Sequence, residues 1–122
     1  MKTRGAHHVS LPVRDLSRSR VFYEDLLGLT QIERPDFGIA GAWYQAGTVQ
    51  LHLIEVPGSR DAEEPASSAS PLSHHLAFEV EEAAIVKREL EAAGLDVMAI
   101  GPAAKQLFVP DPDGNTIEFI ET

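Results

Sequence analysis

His7-His8-Val9-Ser10-Leu11-Pro12-Val13-Arg14-Asp15 opens the chain, and sixty-seven positions later the pattern returns as His74-His75-Leu76-Ala77-Phe78-Glu79-Val80-Glu81-Glu82. Leu27-Gly28-Leu29 is likewise echoed by Ala93-Gly94-Leu95. Toward the end of each half, Gly47-Thr48-Val49-Gln50-Leu51-His52-Leu53-Ile54-Glu55 lines up, with one gap, against Gly114-Asn115-Thr116-Ile117-Glu118-Phe119-Ile120-Glu121, so that His52 falls on Glu118. A unit written twice, with His, His, His and Glu at corresponding strand positions, is the pattern expected of a pseudo-two-fold arrangement that brings four ligands to one ion.

The 122 residues, 43% of them hydrophobic, suffice for one compact domain, and the repeat divides them into halves of about sixty that would be marginal alone. The absence of cysteine excludes disulfides, thiolate ligands and a cysteine nucleophile, so any metal must sit on nitrogen and oxygen. A net charge of −9 argues against nucleic acid, whose phosphates demand a basic patch. No apolar run approaches the roughly 20 residues that span a bilayer, and Met1-Lys2-Thr3-Arg4 leads into a strand pattern without a signal-peptide core, so the expectation is a cytoplasmic protein without membrane contact.

Residues 6–13 alternate as a half-buried strand, with Val9, Leu11 and Val13 on one face and His8 and Ser10 on the other. Asp15 is placed to cap a helix that carries Leu16, Val21, Phe22, Leu26 and Leu27 near one stripe and ends at Gly28. Strands follow at about 29–34, 41–46 and 48–56, completing a βαβββ module over about 5–56. A connector of Pro, Ser, Ala and acidic residues covers about 57–73. The second module, about 74–122, repeats the order: a strand at 74–80, a helix at about 82–93 ended by Gly94, then strands near 95–100, 105–110 and 115–121. Asp111-Pro112-Asp113-Gly114-Asn115 supplies the turn before the last strand. The fold class is therefore α+β, built of two tandem βαβββ modules.

Strand parity decides which side chains can meet. Gln50, His52 and Ile54 share one face of their strand, as Thr116, Glu118 and Ile120 do of theirs. If the alternate positions pack on the helices, then His8, His52, His75 and Glu118 all point away from them. His7 and His74 have the wrong parity for ligands, Glu55 and Glu121 are expected to end in solvent, and Arg14 and Asp15 serve helix entry. Phe37, Trp43, Tyr44 and Phe108 are candidates to line an apolar pocket, and Arg34, Gln50, Lys105 and Gln106 to hold polar groups of a substrate. No glycine-rich phosphate loop is present, and Ser10 lacks the setting of a nucleophile.

These stretches, together with Phe22-Tyr23, His75-Leu76-Ala77-Phe78 and the closing Asp111 to Phe119 segment, resemble the vicinal oxygen chelate superfamily of glyoxalase I, extradiol dioxygenases, fosfomycin-modifying thiol transferases and bleomycin-binding proteins. The resemblance covers nearly the whole chain. It implies paired βαβββ modules whose curved sheets form a cup around one divalent ion (Zn, Ni, Mn, Co or Fe), which chelates a substrate through two neighbouring oxygens. By position it implies His8, His75 and Glu118 as ligands with His52 at the fourth site. It further implies a homodimer in which modules swap, so that His8 and His52 of one chain meet His75 and Glu118 of the other.

The activity implied is that of a metal-dependent glyoxalase-type lyase or isomerase, in which Glu118 or a metal-bound water moves a proton between adjacent carbons. Glyoxalases usually carry glutamate on both late strands, whereas His52 stands opposite Glu118 here, so a symmetric two-glutamate mechanism is excluded. Other readings within the resemblance are an extradiol-type dioxygenase using His8, His75 and Glu118 on Fe(II), a thiol transferase, and a metal-free drug-binding dimer of the bleomycin-resistance kind.

Overall fold

The computed structural model describes residues 1–56 and 69–122. The chain forms two compact units, Met1–Glu63 and Glu64–Thr122. The first holds strand β1 (His8–Val13), helix α1 (Leu16–Arg20) continued by a π-helical turn (Val21–Leu26), and strands β2 (Thr30–Ile32), β3 (Gly41–Ala46) and β4 (Val49–Glu55). The second holds β5 (His75–Val80), α2 (Ala83–Ala92), β6 (Met98–Ile100), β7 (Gln106–Pro110) and β8 (Thr116–Glu121). Each unit is thus a βαβββ module, as the repeat predicts. The two four-stranded sheets have equivalent orders, β1-β4-β3-β2 and β5-β8-β7-β6. In each, the first strand runs parallel to the last and the remaining pairs are antiparallel.

Alternation sorts each sheet into two faces. On the helix side of the first, Val13, Ala42, Tyr44, Leu51 and Leu53 are all buried with Phe22 and Tyr23. On that of the second, Leu107, Val109, Ile117 and Phe119 are buried with Ala83 and Leu90. Burying one such Leu or Ile side chain contributes about 1.5–3 kcal/mol, so these faces set the register. A slip of one residue would turn His52 or Glu118 into the core and a leucine or isoleucine out of it.

Helix entry in both units uses a device that strand parity alone misread. Asp15 caps α1 as expected, its Oδ1 accepting from the backbone N–H of Ser17 at 3.0 Å. Glu55, at the end of β4, is half-buried rather than left to solvent: its Oε2 accepts from the N–H of Leu16 at 2.8 Å. Glu121, at the end of β8, does the same for Ala83 at 3.0 Å, and its other oxygen meets Lys105 Nζ at 2.7 Å. The carboxylates saturate N–H groups that a helix start leaves without partners and face the positive end of its dipole. The parallel pairing of first and last strands brings the last residue of the module beside the beginning of its helix, a proximity the linear sequence does not display.

The expected first helix changes character midway. The N–H of Leu27 bonds to Phe22 O at 3.0 Å, five residues back, so the backbone widens into a π turn. The wider turn lets the adjacent Phe22 and Tyr23 both enter the core, at 5% and 0% exposure, and turns Val21 outward at 59%. Gly28 and Gly94 then end the two helical segments with φ of 70° and 87°, the left-handed conformation their positions call for. The turn before β8 is tied by Asp111, whose Oδ1 accepts from the N–H groups of Asp113 and Asn115.

Of the expected connector, residues 57–68 lie outside the described residues. Its last part is packed on β8: Ser70 N–H donates to Thr116 Oγ1 at 3.2 Å, Ser73 Oγ lies 2.8 Å from the same hydroxyl, and Ala69 is buried. Among the described residues no helix is long and apolar enough to cross a membrane.

Candidate functional site

Each module carries one pair of candidate ligands on the sheet face opposite its helix. In the first, β1 and β3 flank β4, placing Ser10 and Trp43 beside His52, with His8 beside Gln50. The rings form a stack: His52 lies 4.1 Å from His8 at 11° and 4.0 Å from Trp43 at 6°. Its Nε2 stands 2.9 Å from Gln50 Oε1; because that oxygen only accepts, the proton sits on Nε2 and the lone pair on Nδ1. His52 is 6% exposed, whereas His8 is exposed. Burial holds the His52 imidazole below its usual range, and the nearby His8, His7 and Arg34 push it the same way. His52 is therefore a neutral, clamped ring at neutral pH.

The second module presents a different pair. His75 Nε2 lies 3.0 Å from Glu118 Oε2, and Glu118 is 5% exposed. His75 Nδ1 is 2.9 Å from the backbone oxygen of Ser73, which can only accept, so Nδ1 carries the proton of the neutral ring. In that tautomer its Nε2 lone pair faces the carboxylate oxygen, whereas in the protonated ring Nε2 donates to it. Two acceptors at 3.0 Å repel unless a cation, either a proton or a metal ion, joins them. Gln106 Nε2 donates to Glu118 Oε1 at 3.0 Å, locking the carboxylate's orientation. Phe108 stands edge-on to His75 at 5.6 Å and forms an apolar wall.

The donor set fits a divalent cation in chemistry, being imidazole nitrogen and carboxylate oxygen without thiolate. The second pair fits in spacing too, since two ligands at about 2.1 Å and at right angles around an ion lie about 3.0 Å apart. The imidazole N–H anchored on a backbone carbonyl is also the outer-shell arrangement that metal-binding histidines adopt. The first pair fits less simply: rings stacked in near-parallel planes cannot both aim in-plane lone pairs at one point, so as they stand His8 and His52 do not converge. His8, exposed and unclamped on one face, has room to turn; His52 does not. Among the described residues no three His, Asp or Glu side chains are gathered as a ready-made metal cluster, and each module by itself supplies a pair.

The other site candidates divide between the two sheet faces. Trp43, Gln50, Gln106 and Phe108 lie with the ligand pairs, and the two glutamines orient His52 and Glu118. Tyr44 is a correction: it is 0% exposed on the helix face, and its hydroxyl donates to Glu24 Oε1 at 2.7 Å, an arrangement that raises its pKa through burial and that bond. One step along β3 separates it from Trp43, so the two cannot line one pocket. Lys105 is also elsewhere, paired with Glu121 at the α2 entry. Arg34 lies beside Phe37, its Cζ 5.1 Å from the ring centroid. His74 is exposed, while His7 Nδ1 meets His8 Nδ1 at 2.8 Å, a contact between sequence neighbours that parity did not anticipate. Sequence reasoning missed Ser73, since its contribution is a backbone carbonyl and leaves no side-chain signal.

Comparison with known proteins agrees with this architecture. The family model of the Glyoxalase/Bleomycin resistance protein/Dioxygenase superfamily matches residues 5–119. Glyoxylase I 4 of Arabidopsis thaliana is 33% identical over 119 residues, spanning 93% of this chain and 68% of the relative. A crystal structure from Bacillus anthracis, described as a glyoxalase family protein, superposes with a TM-score of 0.79 at 26% identity over 100% of this chain and 98% of that one. The trypanothione-dependent glyoxalase I of Leishmania major shares the fold, with a TM-score of 0.77 at 22% identity over 98% and 87% of the two chains.

Proposed function

The chain belongs to the Glyoxalase/Bleomycin resistance protein/Dioxygenase superfamily, and from that premise we propose that it is a divalent-metal-dependent lyase or isomerase of glyoxalase type. Its substrate is a small molecule chelated through adjacent oxygens. The observation that carries this reading is the His75–Glu118 pair, an imidazole nitrogen and a carboxylate oxygen 3.0 Å apart, oriented by Ser73 and Gln106. His8, His75 and Glu118 would hold the ion, with His52 beside them, and the bound ion would supply Lewis acidity toward a developing oxyanion. In a homodimer with swapped modules, the first pair of one chain would complete the second pair of its partner.

The chain's own residues supply the rest. The Gln106 amide holds Glu118 Oε1 and so fixes the carboxylate that would either hold the ion through Oε2 or take up the substrate's proton. Trp43 and Phe108 offer flat apolar walls, Gln50 fixes the His52 ring and its tautomer, and burial keeps that ring neutral.

A specific observation favours a second reading. The clamped, stacked His52 does not aim at the point His8 would serve, which leaves two histidines and one carboxylate, the set that suits Fe(II) with open positions for a catechol and oxygen. Elemental analysis of protein purified without chelator, followed by assay of Zn-, Ni-, Mn-, Co- and Fe-reconstituted protein on methylglyoxal–thiol adducts and catechols, separates the two. Turnover of adducts with Zn or Ni is expected. Catechol cleavage with Fe alone would replace the first reading by the second, and no stoichiometric metal with any preparation would overturn both.

A further inference from the structure

In the first module, the ligand face ends at a cation, Arg34, that no carboxylate among the described residues pairs with. Arg34 follows β2, and its guanidinium lies across Gly41 of β3: a Cβ built on that glycine would come within 2.8 Å of Arg34 Cζ and Nε and 2.5 Å of Leu53 O. Only the missing side chain lets the guanidinium lie there. On its other side it rests on Phe37, with Cζ 5.1 Å from the ring centroid. Arg34 Nε is buried without a hydrogen-bond partner, and among the described residues no carboxylate pairs with Arg34. The nearest acidic neighbours in sequence are otherwise placed: Asp36 Oδ1 accepts from Gly38 N–H at 2.8 Å, and Glu33 is exposed, one alternation step away from Ile32, which faces Trp43. A guanidinium without a carboxylate partner keeps charge-assisted bonding capacity that a ligand anion can use.

Toward Trp43 the surface beside Arg34 is apolar and open, while its other flank carries Arg20, Glu33 and Asp36. Phe37 is 59% exposed, Ile39 46% and Ile54 37%, and the Phe37 ring lies 6.1 Å from that of Trp43, which stacks on His52. A groove of about 820 Å³ borders Arg34 at the sheet edge, lined by Ile32, Pro35 and Ile39 together with Arg20, Glu33 and Asp36, and the row Phe37, Trp43, His52 leads away from it. A molecule lying along this row would have its apolar body on Phe37 and Trp43, one end at the histidines and the other at the guanidinium.

We propose that Arg34, laid over Gly41 and backed by Phe37, is an anion anchor that selects ligands carrying a carboxylate on an apolar body. The assignment rests on the proposed function for the position of the ligand's other end, where the adjacent oxygens sit. Guanidinium recognises carboxylate through two parallel charge-assisted hydrogen bonds, so a carboxylate-bearing ligand gains about tenfold or more in affinity over its neutral counterpart.

The test is calorimetric titration of the full chain with 4-(hydroxyacetyl)benzoate and with neutral 2-hydroxyacetophenone, each on chelator-treated and on Zn²⁺-loaded protein. The benzoate is expected to bind about tenfold tighter, and Arg34→Gln to reduce that preference to under about twofold. Zn²⁺ is expected to tighten both probes alike; if it tightens neither while the preference stands, the chelation reading fails and the anchor survives. A preference that persists in Arg34→Gln, or no measurable binding of the benzoate at millimolar concentration, overturns the anchor whatever Zn²⁺ does. Should Arg34→Gln not fold, salt decides on the parent protein: raising it from about 20 to about 500 mM should erase most of the preference, and a salt-insensitive preference overturns the proposal.

Discussion

Glu118 is the residue on which the proposed site turns. It is nearly buried, one oxygen is held by Gln106, and the other faces the lone pair of His75. Glu118→Gln keeps the shape and an oxygen but removes the charge, so metal affinity should fall at least about tenfold and turnover with it. His74→Ala, which alters an exposed side chain, should change neither. Calorimetric metal titration reads both; a Gln variant that binds like the parent beside a His74→Ala variant that does not would move the site to the other face of the strands. His52 gives a separate test on chelator-treated protein. Because burial depresses its folded-state pKa, the neutral ring's stabilisation is fully present above the unfolded value of about 6.5 and is lost as pH falls through the lower folded value. The melting temperature should therefore drop from pH 7.5 to 5, and drop less in His52→Gln; equal drops would show that the ring's burial does not couple to folding.

Among the elements, the helix starts show how duplication preserves a physical solution rather than a residue pattern alone. Glu55 and Glu121 close their modules by bonding the first N–H groups of α1 and α2. Glu55→Ala should cost about 1 kcal/mol, the usual loss for a helix-start acceptor, and lower the melting temperature by a few degrees. Glu121→Ala should also lower it, and the Lys105 and Ala83 bonds that hold the Glu121 carboxyl below its usual range make that contribution present at neutral pH and lost as acid protonates the group. Thermal scans check both, and unchanged melting in the two variants would remove the capping role. The element boundaries were mostly legible because strand alternation, Asp15 and the two glycine stops are local signals. The π turn was not, since it arises from fitting Phe22 and Tyr23 together against Tyr44, a partner some twenty residues on.

At the scale of the whole molecule, each module by itself supplies two donors where an ion site needs three or four. Sedimentation is expected to show a homodimer that binds one ion per pair of half-sites. A monomer that nonetheless binds one ion per chain would overturn the swapped arrangement and leave the donor pairs intact. Sequence by itself determined the duplication, the βαβββ order of each module and the face on which His8, His52, His75 and Glu118 stand, because these depend on period-two alternation and on short-range capping and turn chemistry. It also offered Tyr44 and Lys105 as site residues, which stand elsewhere, and left Glu55 and Glu121 to solvent without their bonds to the helix starts. Only tertiary structure decided those, along with the stacking that clamps His52 between His8 and Trp43 and the carbonyl of Ser73 that sets the proton on His75. The reason is physical: parity says which side of a sheet a residue faces, but ring orientation, tautomer and partner choice are set by neighbours that the chain brings together only when it pairs its first strand with its last.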